Sequence, residues 1–179
     1  MKSIAVYCGA SYGASPLYAE SARAMGRALV EQGIGLVYGG GKVGLMGVIA
    51  DEVLRLGGQA VGVIPQALVE RELAHHGLTK LFIVRDMHER KAMMAELADG
   101  FVAMPGGMGT LEELFEMLTW SQLGIHRKPI GVLNTGGFYD LLAAFVVHQH
   151  REAFVREDHV GLMMVDAEPE ALLARLLAR

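Results

Sequence analysis

Apolar and polar positions follow two rhythms along this chain. Short apolar runs, each closed by glycine, proline or a polar turn, occur at Ile4–Cys8, Gly35–Tyr38, Ala60–Ile64, Leu81–Val84, Phe101–Met104, Ile130–Leu133 and Leu162–Val165. Runs of this length between turn signals read as buried strands. Between them lie longer stretches with apolar residues three and four apart, the spacing of a helix that covers a core. Ser15 followed by Pro16 starts the first, with Leu17, Ala24, Ala28 and Leu29 on one face and Gly33 as its stop. Leu45–Leu56 reads as the second, ended by Gly57-Gly58. Asp86-Met87-His88-Glu89 is a capping-box pattern opening a third that runs to about Ala98. Further helices are predicted over Leu111–Gln122, from Phe138 to about Ala153, and over Pro169–Ala178. From Gln66 to Thr79 the periodicity is weak, and the stretch reads either as a loop over a site or as a surface connection.

Strands that alternate with helices in this way predict a doubly wound, Rossmann-like α/β domain, with a parallel sheet of about seven strands and helices on both faces. One domain spanning residues 1–179 is expected. Ligands of such sheets bind beyond the carboxyl ends of the strands, so the turns at Gly9, Gly39, Arg90 and Gly106 should crowd one edge.

Composition narrows the function classes. A net charge of −4 and a pI near 6.0 give no basic field, so neither nucleic acid nor an anionic membrane is an expected partner. The 52% hydrophobic content is a mild excess that points to a subunit interface. The single cysteine, Cys8, fits a reducing compartment. The N-terminus lacks the apolar core of a signal peptide, and no apolar run reaches the ~20 residues of a membrane span. A cytoplasmic protein acting on small molecules is the resulting expectation.

Three patterns carry candidate chemistry. Pro105-Gly106-Gly107-Met108-Gly109-Thr110-Leu111-Glu112-Glu113 takes a strand into a helix through a glycine-rich turn, whose bare N–H groups suit a phosphate. Glu112 and Glu113 then stand where a plain phosphate cradle would not want them. Glu113 has two readings from spacing alone: a catalytic carboxylate, or the third helical residue of a capping box headed by Thr110. Arg90 and Lys91, in or just after the first turn of their helix, are either anion ligands at the same edge or a solvated helix face. Gly39-x-Gly41-x-x-Gly44 matches a dinucleotide fingerprint only formally, because no acid ends the next strand, and Val43 stands where a Walker lysine would be followed by Ser or Thr. A tight turn, phosphate-facing or structural, is what remains. His75-His76 and His148-x-His150 lack the partners and spacing of a zinc site, so no metal is expected.

At these residues the chain closely resembles the LONELY GUY family of cytokinin-activating phosphoribohydrolases, long mislabelled as lysine decarboxylases. Pro105 to Glu113 matches the family signature PGGxGTxxE at every fixed position. Asp86-Met87-His88-Glu89-Arg90-Lys91 matches a second segment, while Gly39-Gly40-Gly41 and Cys8-Gly9-Ala10-Ser11 are similar to its other nucleotide-contacting turns. The resemblance extends from Ser3 to about Gly131. It implies cofactor-free, metal-independent hydrolysis of the N-glycosidic bond of AMP and N6-substituted adenosine 5'-monophosphates, by a homodimer. It also implies Arg90 and Glu113 as the catalytic pair. Gly106, Gly107, Gly109, Thr110, Glu112, Lys91, Glu72, Gly40, Gly41 and Ser11 correspond to ligand-contacting positions. A module that binds a nucleotide without cleaving it is the alternative. Lysine decarboxylation is disfavoured, because neither Lys42 nor Lys91 has a recognisable pyridoxal phosphate setting.

Overall fold

The computed structural model of the protein describes residues 1–69 and 73–179. Seven strands form one parallel sheet: β1 (Ser3–Tyr7), β2 (Gly35–Tyr38), β3 (Ala60–Pro65), β4 (Lys80–Val84), β5 (Gly100–Ala103), β6 (Ile130–Leu133) and β7 (Met163–Asp166), in the order β4-β3-β2-β1-β5-β6-β7. The helices are α1 (Pro16–Glu31), α2 (Gly44–Arg55), α3 (Met87–Leu97), α4 (Met108–Gln122), α5 (Asp140–Arg151), the single turn α6 (Glu157–Val160) and α7 (Pro169–Leu177).

Side chains alternate across a strand, so an inner strand feeds two cores. Ile4 and Val6 of β1, with Cys8 just beyond it, join Leu36, Tyr38, Val102 and Met104 beneath α1, α2 and α7. Ala5 and Tyr7 face the other way, with Val37, Phe101 and Ala103, into a second core closed by α3 and α4. The inner strands are apolar on both faces, which is why their sequences read as unbroken apolar runs, whereas the edge strand β4 exposes Lys80 and Ile83.

The strand order reverses beside β1. The chain steps outward to β2, β3 and β4 on one side, then returns to lay β5 along the other side of β1, in register from Ile4↔Gly100 to Tyr7↔Ala103. The loops leaving β1 and β5 therefore diverge, and the sheet opens a crevice between them at its carboxyl edge. They stay linked at its floor, where the Gly9 amide donates to the Pro105 carbonyl at 3.0 Å.

Two expected helix starts need correction, and one short helix is additional. The helix expected from Leu111 begins at Met108, the one expected from Phe138 begins at Asp140 after a tight Thr135–Gly137 turn, and α6 was not anticipated. The turn before α5 carries Gly136 at φ 60, a conformation that keeps the helix from starting sooner.

Candidate active site

Starting α4 at Met108 changes what the glycine-rich turn offers. Its N-cap is Gly107, with no side-chain cap, and the Leu111 amide is the first in the helix to bond back, to the Gly107 carbonyl at 3.2 Å. The N–H groups of Gly107, Met108, Gly109 and Thr110 are thus the ones a helix leaves unpaired at its start, and they face the crevice at the positive end of the helix dipole. Thr110 is not the N-cap and heads no capping box. It is buried inside the first turn, its hydroxyl against Gly106: a Cβ at residue 106 would lie 2.1 Å from Thr110 Oγ1 and 2.9 Å from the Gly9 amide. At Gly107 and Gly109 a Cβ would meet nothing within 4 Å. Glycine at 106 is demanded by the protein's own packing, whereas glycine at 107 and 109 leaves space open.

The corrected helix start also separates the two carboxylates. Consecutive helical residues point about 100° apart. Glu112 shares a face with Glu116, and the two receive the Lys91 ammonium, Glu116 at 3.1 Å and Glu112 by a shorter ion pair. Burial alone would depress the Lys91 ammonium, but its hydrogen bonds to Glu112 and Glu116 outweigh this and hold it above its ordinary value. Lys91 thus ties α3 to α4. Glu113 turns instead into a depression of ≈ 250 Å³ that it lines with Cys8, Arg90, Gly107, Gly109 and Thr110. Its charge reaches the groups beneath: Cys8 is pushed well above a normal thiol, first by burial and then by Glu113, and Tyr7 is raised by the same two causes in the same order.

Arg90 enters this depression from α3. Asp86 caps that helix by accepting the Glu89 amide at 2.9 Å, which fixes the first turn and places Arg90 at its inner face. The residue is only 5% exposed, so it is no solvated helix face. Its Nη2 donates to the Gly39 carbonyl at 2.8 Å, and Nη1 lies 3.7 Å from Met87 Sδ. Glycine at 39 is what admits it, because a Cβ there would stand 1.9 Å from Arg90 Nη2.

Residues 46–176 match the protein family described as "Possible lysine decarboxylase". Over 176 residues the chain is 47% identical to the cytokinin riboside 5'-monophosphate phosphoribohydrolase of Rhodococcoides fascians, covering 98% of this chain and 89% of that protein. It is 51% identical over 154 residues to a cytokinin riboside 5'-monophosphate phosphoribohydrolase of Arabidopsis thaliana, covering 86% of this chain and 71% of that one. The chain belongs to the LONELY GUY family. Among solved structures, the molybdenum cofactor carrier protein of Chlamydomonas reinhardtii superposes with a TM-score of 0.75 at 21% identity, over 99% of both chains, a likeness of fold alone.

The LONELY GUY signature therefore lies along one helix, with the amides of its first turn at the tip and the Glu113 carboxylate further in. The other positions drawn from the family resemblance are scattered around this centre. Ser11 borders a neighbouring hollow of ≈ 190 Å³ walled by Tyr12, Tyr18, Leu45 and Phe138, which meets the first at Gly107. Gly40 and Gly41 face the chain that follows residue 72: the Gly40 carbonyl accepts the His75 amide at 2.9 Å, and Gly41 pairs with Ala74. Glu72 lies outside the described residues. Met46, Met87 and Leu68 form the apolar walls of the depression; from sequence Met87 reads as core or interface filler and Met46 and Leu68 carry no signal, because nothing local marks an apolar residue as lining. Among the described residues no group of three or more His, Cys, Asp or Glu is placed to hold a metal ion.

Proposed function

We propose that this chain hydrolyses the N-glycosidic bond of adenosine 5'-monophosphate and its N6-substituted relatives, yielding the free base and ribose 5-phosphate. The observation that carries the reading is the convergence of Arg90 and Glu113 on one depression with Gly107, Gly109 and Thr110 of the helix tip. The 5'-phosphate takes the amides of Gly107–Thr110, which anchors the ribose in a fixed pose. Breaking the bond from C1' to the base nitrogen builds positive charge on the sugar. The Glu113 carboxylate stabilises that charge and orients the water that adds to C1', while the base leaves with the bonding electron pair and takes up a proton. Arg90, a fixed cation held by Gly39, draws negative charge toward its side of the depression, where the departing base meets it. The names of the homologous proteins support the same reaction class.

The whole chain is proposed to act as one domain, in the cytoplasm and as a homodimer. No helix among the described residues is long and apolar enough to cross a membrane. Leu141 and Phe145 on α5, with Phe154 just after it, form exposed apolar surface that supports pairing with a second copy. Purified protein incubated with AMP or isopentenyladenosine monophosphate should release base detectable by chromatography. Tight nucleotide binding without any released base would overturn the hydrolase reading in favour of a binding module. Light scattering reports the oligomer.

A further inference from the structure

The segment from Leu73 to Gly77 is fastened with more bonds than a surface connection needs. Ala74 donates to the Val69 carbonyl at 2.9 Å, Lys42 donates to the Leu73 carbonyl at 3.0 Å, and His75 donates to the Gly40 carbonyl at 2.9 Å. Ala74 forms an antiparallel bridge with Gly41. Leu73 sits at φ 48, a left-handed conformation that a leucine adopts only when its surroundings impose it. The residue is 60% exposed, so apolar packing is not what imposes it.

What closes the fastening is a side chain. His75 is 5% exposed and uses both ring nitrogens. The Gly77 amide donates to Nδ1 at 3.1 Å, so the ring proton resides on Nε2, which donates to Asp51 Oδ1 of α2 at 2.9 Å. The imidazole thereby pins the segment to α2 and presses its backbone against the turn at Gly39–Gly41. Two walls of the proposed active site hang from that turn and segment. The Gly39 carbonyl holds the Arg90 guanidinium, and Leu68, one residue before the Val69 carbonyl that ties to Ala74, lines the depression with Glu113.

We propose that His75, oriented by Asp51, is a positioning residue for the hydrolysis: it locks the turn whose carbonyl aims Arg90. This rests on the reaction assigned above. The phosphate cradle belongs to α4, and no hydrogen bond among the described residues joins it to the His75 segment, so loss of the buckle leaves substrate anchoring in place and misaims Arg90. The deficit therefore falls on kcat and not on KM.

The test compares wild type with His75→Ala, Asp51→Ala and Asp51→Asn, each assayed with AMP well below its own melting temperature, alongside amide exchange at Lys42 and His75. His75→Ala and Asp51→Ala should each lose on the order of 10-fold or more in kcat, with KM for AMP within about twofold of wild type, because small misplacements of a catalytic group cost this much. Exchange at the two amides should accelerate in His75→Ala. Asp51→Asn keeps an oxygen acceptor for Nε2–H and should remain within about twofold of wild type in both constants. Undiminished kcat in a folded His75→Ala, a loss confined to KM, or an Asp51→Asn as damaged as Asp51→Ala would overturn the positioning role. Unchanged amide exchange in His75→Ala would overturn the buckle itself. A wild type that releases no base condemns the reaction assignment instead, and the exchange measurement still reads the buckle.

Discussion

Replacing Gly39 by alanine tests the site at the point where backbone and catalytic side chain meet. Gly39 lies outside the left-handed region, so alanine suits its backbone, and the damage comes from the methyl group alone. That methyl would stand 1.9 Å from Arg90 Nη2, 3.0 Å from Arg90 Cζ and 3.1 Å from Met46 Sδ. Real Cβ contacts essentially never fall under 3.0 Å, so the guanidinium must retreat by more than about 1 Å. The atom in the way is the far end of a flexible side chain, so the fold survives by letting Arg90 swing into the depression. The 2.8 Å bond to the Gly39 carbonyl is lost, and a hydrogen bond to a charged group contributes roughly 1.5–3 kcal/mol. Part of that is regained when the guanidinium reaches water, which leaves a net destabilisation of about 1–2 kcal/mol. Activity should fall further. Misplacing a catalytic group by about 1 Å costs on the order of 10²-fold in rate, equivalent to ~2.7 kcal/mol of transition-state stabilisation. Steady-state release of adenine from AMP, with thermal melting measured in parallel, gives both numbers. In the Arg90→Ala background the same glycine substitution should add almost nothing, since the atom it displaces is gone. Wild-type turnover by Gly39→Ala, or full additivity with Arg90→Ala, would refute the reasoning.

Other expectations follow from the same geometry. Glu113→Gln keeps the shape of the side chain and removes its charge, so AMP should still raise the melting temperature while base release drops by roughly 10²-fold or more; turnover at the wild-type rate would remove Glu113 from the mechanism. Gly109→Ala adds a methyl to space that no protein atom occupies, so melting should be unchanged or slightly higher while KM for AMP rises on the order of 10-fold, in contrast to Gly106→Ala, which should lose stability because its methyl meets Thr110 and the Gly9 amide; a Gly109→Ala with normal KM would argue against the cradle. Glu52 joins α1 to α2 by accepting from Arg55 at 2.8 Å and Arg27 at 3.3 Å, and these bonds, Arg55 foremost and against the cost of burial, hold its carboxyl down at about 2. A depressed acid stabilises the fold fully above its unfolded value, near 4.5, and loses that contribution as pH falls through about 2. Solvent around the two exposed arginines reduces this contribution, and acid titration of Glu52→Gln should show a flatter melting profile between those pH values than wild type.

The strands were the most legible part of the chain. Gly35–Tyr38 and Ile130–Leu133 occur where the apolar runs put them, because a strand covered on both faces admits only apolar residues between its turns. The start of α4 was illegible for a physical reason. Glycine is a poor helix former, yet Gly107 caps α4 and Gly109 lies in its first turn beside Met108. A helix that starts at Met108 has Thr110 inside its first turn, which removes the capping-box explanation of Glu113. The motif pointed to Arg90, but its burial could not be read from α3, since the turn that receives it lies 51 residues earlier. The same holds for His75 and Asp51, separated by 24 residues and joined only by the sheet's topology.

The bare amides of Gly107–Thr110 and the carboxylate of Glu113 sit on one uninterrupted helix, so the span between them is set by backbone hydrogen bonds at ~1.5 Å per residue. Under the proposed assignment α4 is a ruler whose zero is the phosphorus and whose single graduation is the anomeric carbon. A 5'-phosphate brings the two into coincidence. A 3'-phosphate, a cyclic phosphate or a longer pyrophosphate lays the sugar at another reading, so such a molecule can occupy the tip of the helix and still present the wrong atom to Glu113.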